Sequence, residues 1–108
     1  MAVDPSPILL VLTTVAARVD ADRLARSMVG QRLAACAQIG AIDSVYRWQG
    51  AVQAEGEFRL LFKTTAARYP ALQAALRAEH PYELPAIVAL PCSQALPEFG
   101  AWVEEQTR

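Results

Sequence analysis

Glu79, His80 and Glu83 set two carboxylates around the chain's only histidine. Imidazole suits copper, zinc and nickel. One imidazole is not a metal site, because three or four ligands are usual. Further donors would have to approach in space, and Cys36 and Cys92 are candidates. A thiolate beside imidazole favours a soft ion such as Cu(I). The plainer alternative has His80 capping the last carbonyls of a helix that Pro81 ends. Cys36 opens a strand-like run, and free cysteine is among the most buried residue types.

Other groups lie further back. Glu55 and Glu57, two apart on one strand face, either bind a cation or keep an edge soluble. Lys63, in a largely apolar run, either snorkels or pairs with a carboxylate across an interface. There is no GxSxG elbow, phosphate-binding glycine loop or HExxH motif. No Ser, His and Asp spacing nominates a triad, so a non-enzymatic protein is expected.

These groups need elements to hold them. "ILLVLTT", Ile8–Thr14, is an apolar run that suits a buried strand. Arg18–Gln31 carries a stripe of Leu24, Met28 and Val29, which predicts a helix. Leu33–Trp48 reads as extended, with Gly40 marking a bulge or kink. "QG" at Gln49–Gly50 supplies a reversal, and the chain returns as a strand through Thr65. A second helix starts near Tyr69–Pro70 and runs to about Ala78. Ala86–Leu90 reads as a short strand between Pro85 and Pro91. Leu96, Phe99, Trp102 and Val103 stripe a C-terminal helix.

The order β-α-β-β-α-β-α is an α+β, ferredoxin-like split-βαβ pattern with a long hairpin and a C-terminal helix. Helices cover one sheet face and leave the other bare. Hairpin arms of about 13 residues span about 43 Å at roughly 3.3 Å per residue. A compact domain of this size is only about 35 Å across. The tip, with Tyr46 and Trp48, should therefore overhang its own body and be covered by another subunit.

The 108 residues make a single domain, 1–108, with residues 1–6 as a loose tail. Hydrophobic residues are 54% and charged residues 19%, which is greasy enough to suggest an oligomer. A net charge of -1 without a basic run argues against nucleic acid. Ile8–Leu12 is too short to span a bilayer and has no signal-peptide flanks, so no membrane is expected. The cysteines form no CxxC pair, in keeping with reduced thiols in the cytoplasm.

Four segments together, "RLAACAQI", "SVYRWQGAVQAEGEFRLLFKTT", "HPYELPAIVALP" and "FGAWV", resemble the CutA family of divalent-cation tolerance proteins. The resemblance runs from Ile8 to the last helix. It implies a ferredoxin-like homotrimer, three sheets in a ring with hairpins reaching across neighbours, and tolerance of copper and other divalent metals. It brings no firm catalytic activity. Two positions depart from the family pattern. Ala86 stands where the motif H-P-Y-x-x-P-E has its acid, and Thr13 where some relatives carry cysteine. His80 remains of that set, with Glu83 as the replacement carboxylate.

The leading expectation is thus a cytoplasmic homotrimer in metal homeostasis, holding Cu(II) or another divalent cation weakly through His80 and Glu83. The alternative is a signalling or small-molecule-binding trimer resembling the PII-like proteins. Its ligand would lie in a cleft between protomers near Tyr46, Trp48, Glu57, Lys63 and Tyr82. A scaffold whose assembly is its function is the third reading.

Overall fold

The computed structural model describes residues 8–108, and the expected tail over residues 1–6 lies outside them. The elements are β1 (Ile8–Val15), α1 (Arg18–Gly30), β2 (Cys36–Trp48), β3 (Ala51–Thr65), α2 (Tyr69–Glu79), β4 (Val88–Pro91) and α3 (Pro97–Gln106). The strands form one antiparallel sheet in the order β2-β3-β1-β4.

Alternation decides which face is buried. Val11, Thr13 and Val15 of β1 and Leu60 and Phe62 of β3 point to the helical side. There they meet Ala21, Leu24 and Met28 of α1 and Leu72 and Leu76 of α2. Burying a side chain the size of Phe62 or Leu24 stabilises by about 1.5–3 kcal/mol. The opposite face carries half-buried Leu10, Leu12 and Leu61 and exposed Val88 and Leu90. This face is apolar along Leu10, Leu12 and Leu61, carries Lys63 and Arg59 beside them, and is uncovered within one chain.

Gln49 and Gly50 turn the hairpin with φ of 50° and 80°. Two positive φ values match the twist of antiparallel strands, and this fixes the register. The ladder runs from Cys36↔Lys63 to Trp48↔Ala51 with no skipped residue. The bulge expected at Gly40 is therefore absent. A Cβ there would meet nothing within 4 Å, so the glycine marks no close approach either. β1 pairs with β3 only as far as Val15↔Phe58, so Ala51–Glu57 pairs with β2 alone and projects. The long axis is accordingly 51 Å, against 28 and 22 Å for the others.

Two boundaries differ from the sequence expectation. The extended run begins at Cys36 rather than Leu33, because α1 ends in a Schellman turn. Arg32 lies in the left-handed region at φ 60°, its N–H bonds Val29 O, and the Leu33 N–H bonds Met28 O. The Arg32 guanidinium then bonds the carbonyls of Glu105 and Arg108, tying α1 to the end of α3. The last strand is Val88–Pro91 rather than Ala86–Leu90. Pro91 is accommodated because β4 is an edge strand, where a missing N–H need not break a ladder.

Candidate functional site

The register places Ser44 opposite Glu55, Ile42 opposite Glu57 and Tyr46 opposite Gln53. Directly opposed residues share a face, so Tyr46 and Glu55 become diagonal neighbours. The Tyr46 hydroxyl donates to Glu55 Oε1. That bond, with a smaller effect of burial, raises the Tyr46 pKa and keeps the phenol a neutral donor.

The segment after α2 wraps the end of β1 and meets this hairpin face. Pro81 and Pro85 hold it out of helical conformation. Tyr82 reaches across to Glu57, and its hydroxyl donates to Oε2 at 2.6 Å. Burial first, then Glu57, pushes the Tyr82 pKa far above the ordinary phenol range. Glu57 itself is only 7% exposed. Between hairpin and segment lies an open groove of about 1150 Å³. Trp48, Tyr46, Tyr82, Glu55, Glu57 and Glu83 line it, with Thr14 and Asp43.

His80 sits behind this wall, buried among β1 and α1. Its Nδ1 accepts the Tyr82 N–H at 3.1 Å, so Nε2 carries the proton. Nε2 donates to Thr13 Oγ1 at 3.0 Å. Its ring lies 5.0 Å from that of Tyr82. Burial lowers the His80 pKa, and Arg23 of α1 adds to this. The Thr14 backbone, Asp20 and Glu57 pull the other way without prevailing. Glu79 faces α1 instead, where Ser27 Oγ and Gln31 Nε2 donate to its carboxylate.

The sequence candidates thus separate. Tyr46, Trp48, Glu57, Tyr82 and Glu83 come together in the groove. Lys63 does not: its Nζ donates to Gln38 Oε1 at 2.8 Å. It stands six positions from Glu57 along β3, about 20 Å away at roughly 3.3 Å per residue. Both cysteines lie at the Ile8 end of the sheet: Cys36 pairs with Lys63, which opposes Leu10, and the Cys92 N–H bonds Ile8 O. Thr13, the partner of His80, is five positions further along β1, about 17 Å at the same rise. A thiolate–imidazole pair is therefore not formed.

A single chain does not fit a divalent metal. Among the described residues, no three of its histidine, cysteines, aspartates and glutamates gather into a metal-holding group. Both nitrogens of His80 are already hydrogen-bonded. Sequence reasoning missed Thr13 as the histidine's partner and Asp43 and Ser44 as groove residues. The Gln49–Gly50 turn was a usable signal for the last two, since it fixes which hairpin residues oppose one another.

A family model described as CutA1 divalent ion tolerance protein matches residues 9–106. The divalent-cation tolerance protein CutA of Thermus thermophilus is 42% identical over 99 residues, covering 91% of this chain and 96% of that one. The chloroplastic protein CutA of Arabidopsis thaliana is 36% identical over 94% of this chain, which spans 57% of its length. The solved structure of CutA from Synechococcus elongatus superposes with a TM-score of 0.93 at 38% identity, covering 98% of this chain and 95% of that one.

Proposed function

This chain belongs to the CutA1 divalent ion tolerance family, and from that premise we propose that it works as a cytoplasmic, non-catalytic homotrimer with a ferredoxin-like protomer. The observation that carries the assembly is the projecting hairpin. Val45 and Val52 are mostly exposed there, with Tyr46 and Trp48 partly so. Apolar side chains on an isolated ribbon gain by burial against another copy, as does the uncovered sheet face. The number three comes from the family resemblance. No helix among the described residues is long and apolar enough to cross a membrane. Sedimentation velocity at micromolar concentration should give the mass of three chains, and a folded monomer would refute the assembly. Fractionation of cells carrying the tagged chain tests the compartment.

The cargo of this reading is Cu(II) or a similar divalent ion, held weakly. Glu83, exposed at the groove, is its accessible donor, and His80 lies behind it. Because one chain supplies no complete ligand set, the remaining donors would come from a second copy. Calorimetric titration of copper into the wild type, His80→Ala and Glu83→Gln tests this. Unchanged heats in both variants would remove these residues from the account.

The groove favours a second reading, a small-molecule-binding trimer. Its volume of about 1150 Å³ suits an organic ligand rather than a bare ion. Thermal-shift measurements against metabolites discriminate, since a ligand that binds the folded form raises the melting temperature with concentration.

A further inference from the structure

His80 has the bonding of a masked metal ligand. Its Nε2–H donates to Thr13 Oγ1 at 3.0 Å, and Thr13 is only 1% exposed. Histidines that bind metal usually donate their second ring N–H in this way, which fixes the tautomer and the ring. The lone pair of this tautomer is on Nδ1. It is closed to an ion, because the Tyr82 N–H occupies it at 3.1 Å.

Of the two nitrogens, only Nδ1 can be uncovered without opening the core. Freeing Nε2 would pull the ring off β1 inside the sheet–helix layer. Freeing Nδ1 moves residues 81–87, which form neither helix nor strand. Tyr82 fastens that segment at two points, its N–H on Nδ1 and its hydroxyl on Glu57 Oε2 at 2.6 Å. Both bonds are made within one chain, so neither depends on what covers the hairpin.

We propose that Tyr82 is a lid on His80: a divalent ion takes Nδ1 only when residues 81–87 swing away, so the ion and the closed segment exclude one another. This rests on the cargo reading above, in which the ion is held through His80. No proton has to leave, because Nδ1 already carries a lone pair. The Tyr82 N–H passes to water. The ion's apparent affinity falls in proportion to the fraction of chains that are open, which makes a weak site. By linkage, whatever loosens the closed segment tightens the ion.

The probe is zinc(II), which is diamagnetic, titrated into the full, untagged chain at one chain concentration. The chain has three tyrosines, so isotope-labelled tyrosine resolves the Tyr82 amide by NMR. Saturating zinc should speed hydrogen exchange at that amide about tenfold and leave the Tyr69 amide, on α2, unchanged. Calorimetry reads the second effect. Tyr82→Phe removes the bond to Glu57 that helps hold the segment shut, and should tighten zinc about fivefold. A tyrosine that only supports a preformed site would weaken zinc when altered, or leave it unchanged. The exchange measurement uses the wild type, so it decides alone should Tyr82→Phe fail to fold.

Zinc that binds through His80 without exposing the Tyr82 amide overturns the lid and leaves the cargo reading standing. Zinc held no more tightly by Tyr82→Phe, yet lost in His80→Ala, does the same. Binding as tight in His80→Ala as in the wild type overturns both the lid and the cargo reading. Absence of binding to the wild type and to Tyr82→Phe also overturns both.

Discussion

Thr13 and His80 are 67 positions apart and share a hydrogen bond of 3.0 Å inside the sheet–helix layer. The bond fastens the end of α2 to the central strand β1. Through the Tyr82 N–H on the other ring nitrogen, it also fastens the segment that walls the groove. Thr13→Val keeps the shape and removes the acceptor, leaving a buried N–H without a partner. The expected loss of stability is about 1–3 kcal/mol. Urea unfolding at fixed protein concentration measures it, and an unchanged midpoint would contradict the structural role of the bond.

His80 also sets a pH dependence. Its folded pKa lies below the ordinary value of 6.5, mainly because burial disfavours the cation. Around that value the unfolded chain binds more protons than the folded one, so stability rises with pH. The contribution is complete above the ordinary value and is lost as pH falls through it toward the folded value. Protonation would also set a ring N–H at Nδ1 against the Tyr82 N–H, two donors face to face. Unfolding midpoints followed between about pH 5 and 8 should therefore fall on the acid side, and His80→Gln should flatten the curve.

The hairpin and the order of the elements were legible because their signals are local. Alternation from Ser44 onward, the Gln49–Gly50 turn and the stripes of α1 and α2 each involve neighbours within a few positions. Sequence alternation likewise put Phe58, Leu60 and Phe62 on one strand face, and β1 register turned that face to the core. What failed depended on long-range placement. The distance between His80 and the cysteines follows from how Thr13 and Ile8 are spaced along β1, which no local pattern carries. Gly40 misled because a glycine in a strand often signals a bulge, whereas here it sits in an unbroken ladder opposite Arg59. The groove needed both hairpin register and the path of residues 81–87, so the sequence set Glu57 and Tyr82 near one cleft between protomers but did not show that they bond within one chain.

Arg32 offers a test that separates backbone from side chain. Its φ of 60° is costly for any residue except glycine, yet its guanidinium bonds two carbonyls at the end of α3. Arg32→Ala loses those bonds and keeps the strained conformation. Arg32→Gly loses the same bonds and relieves the strain. The glycine variant should thus be the more stable of the two, by roughly 1 kcal/mol. Equal stabilities would mean that the left-handed conformation costs nothing here.

Tyr82 and Glu57 should act as one unit. Tyr82→Phe removes the donor from a carboxylate that is nearly buried, and hydrogen bonds to charged groups contribute about 1.5–3 kcal/mol. Glu57→Gln replaces the charge with a neutral acceptor, so the tyrosine keeps a weaker bond. Once Tyr82 is phenylalanine, Glu57→Gln removes an unpaired charge and should cost less, or even stabilise. A double-mutant cycle should therefore give a coupling of at least about 1 kcal/mol. Unfolding must be followed at one chain concentration, because assembly would otherwise shift every midpoint. Strictly additive effects would show that the phenol is no partner of Glu57 in solution, and the groove would lose its fixed wall.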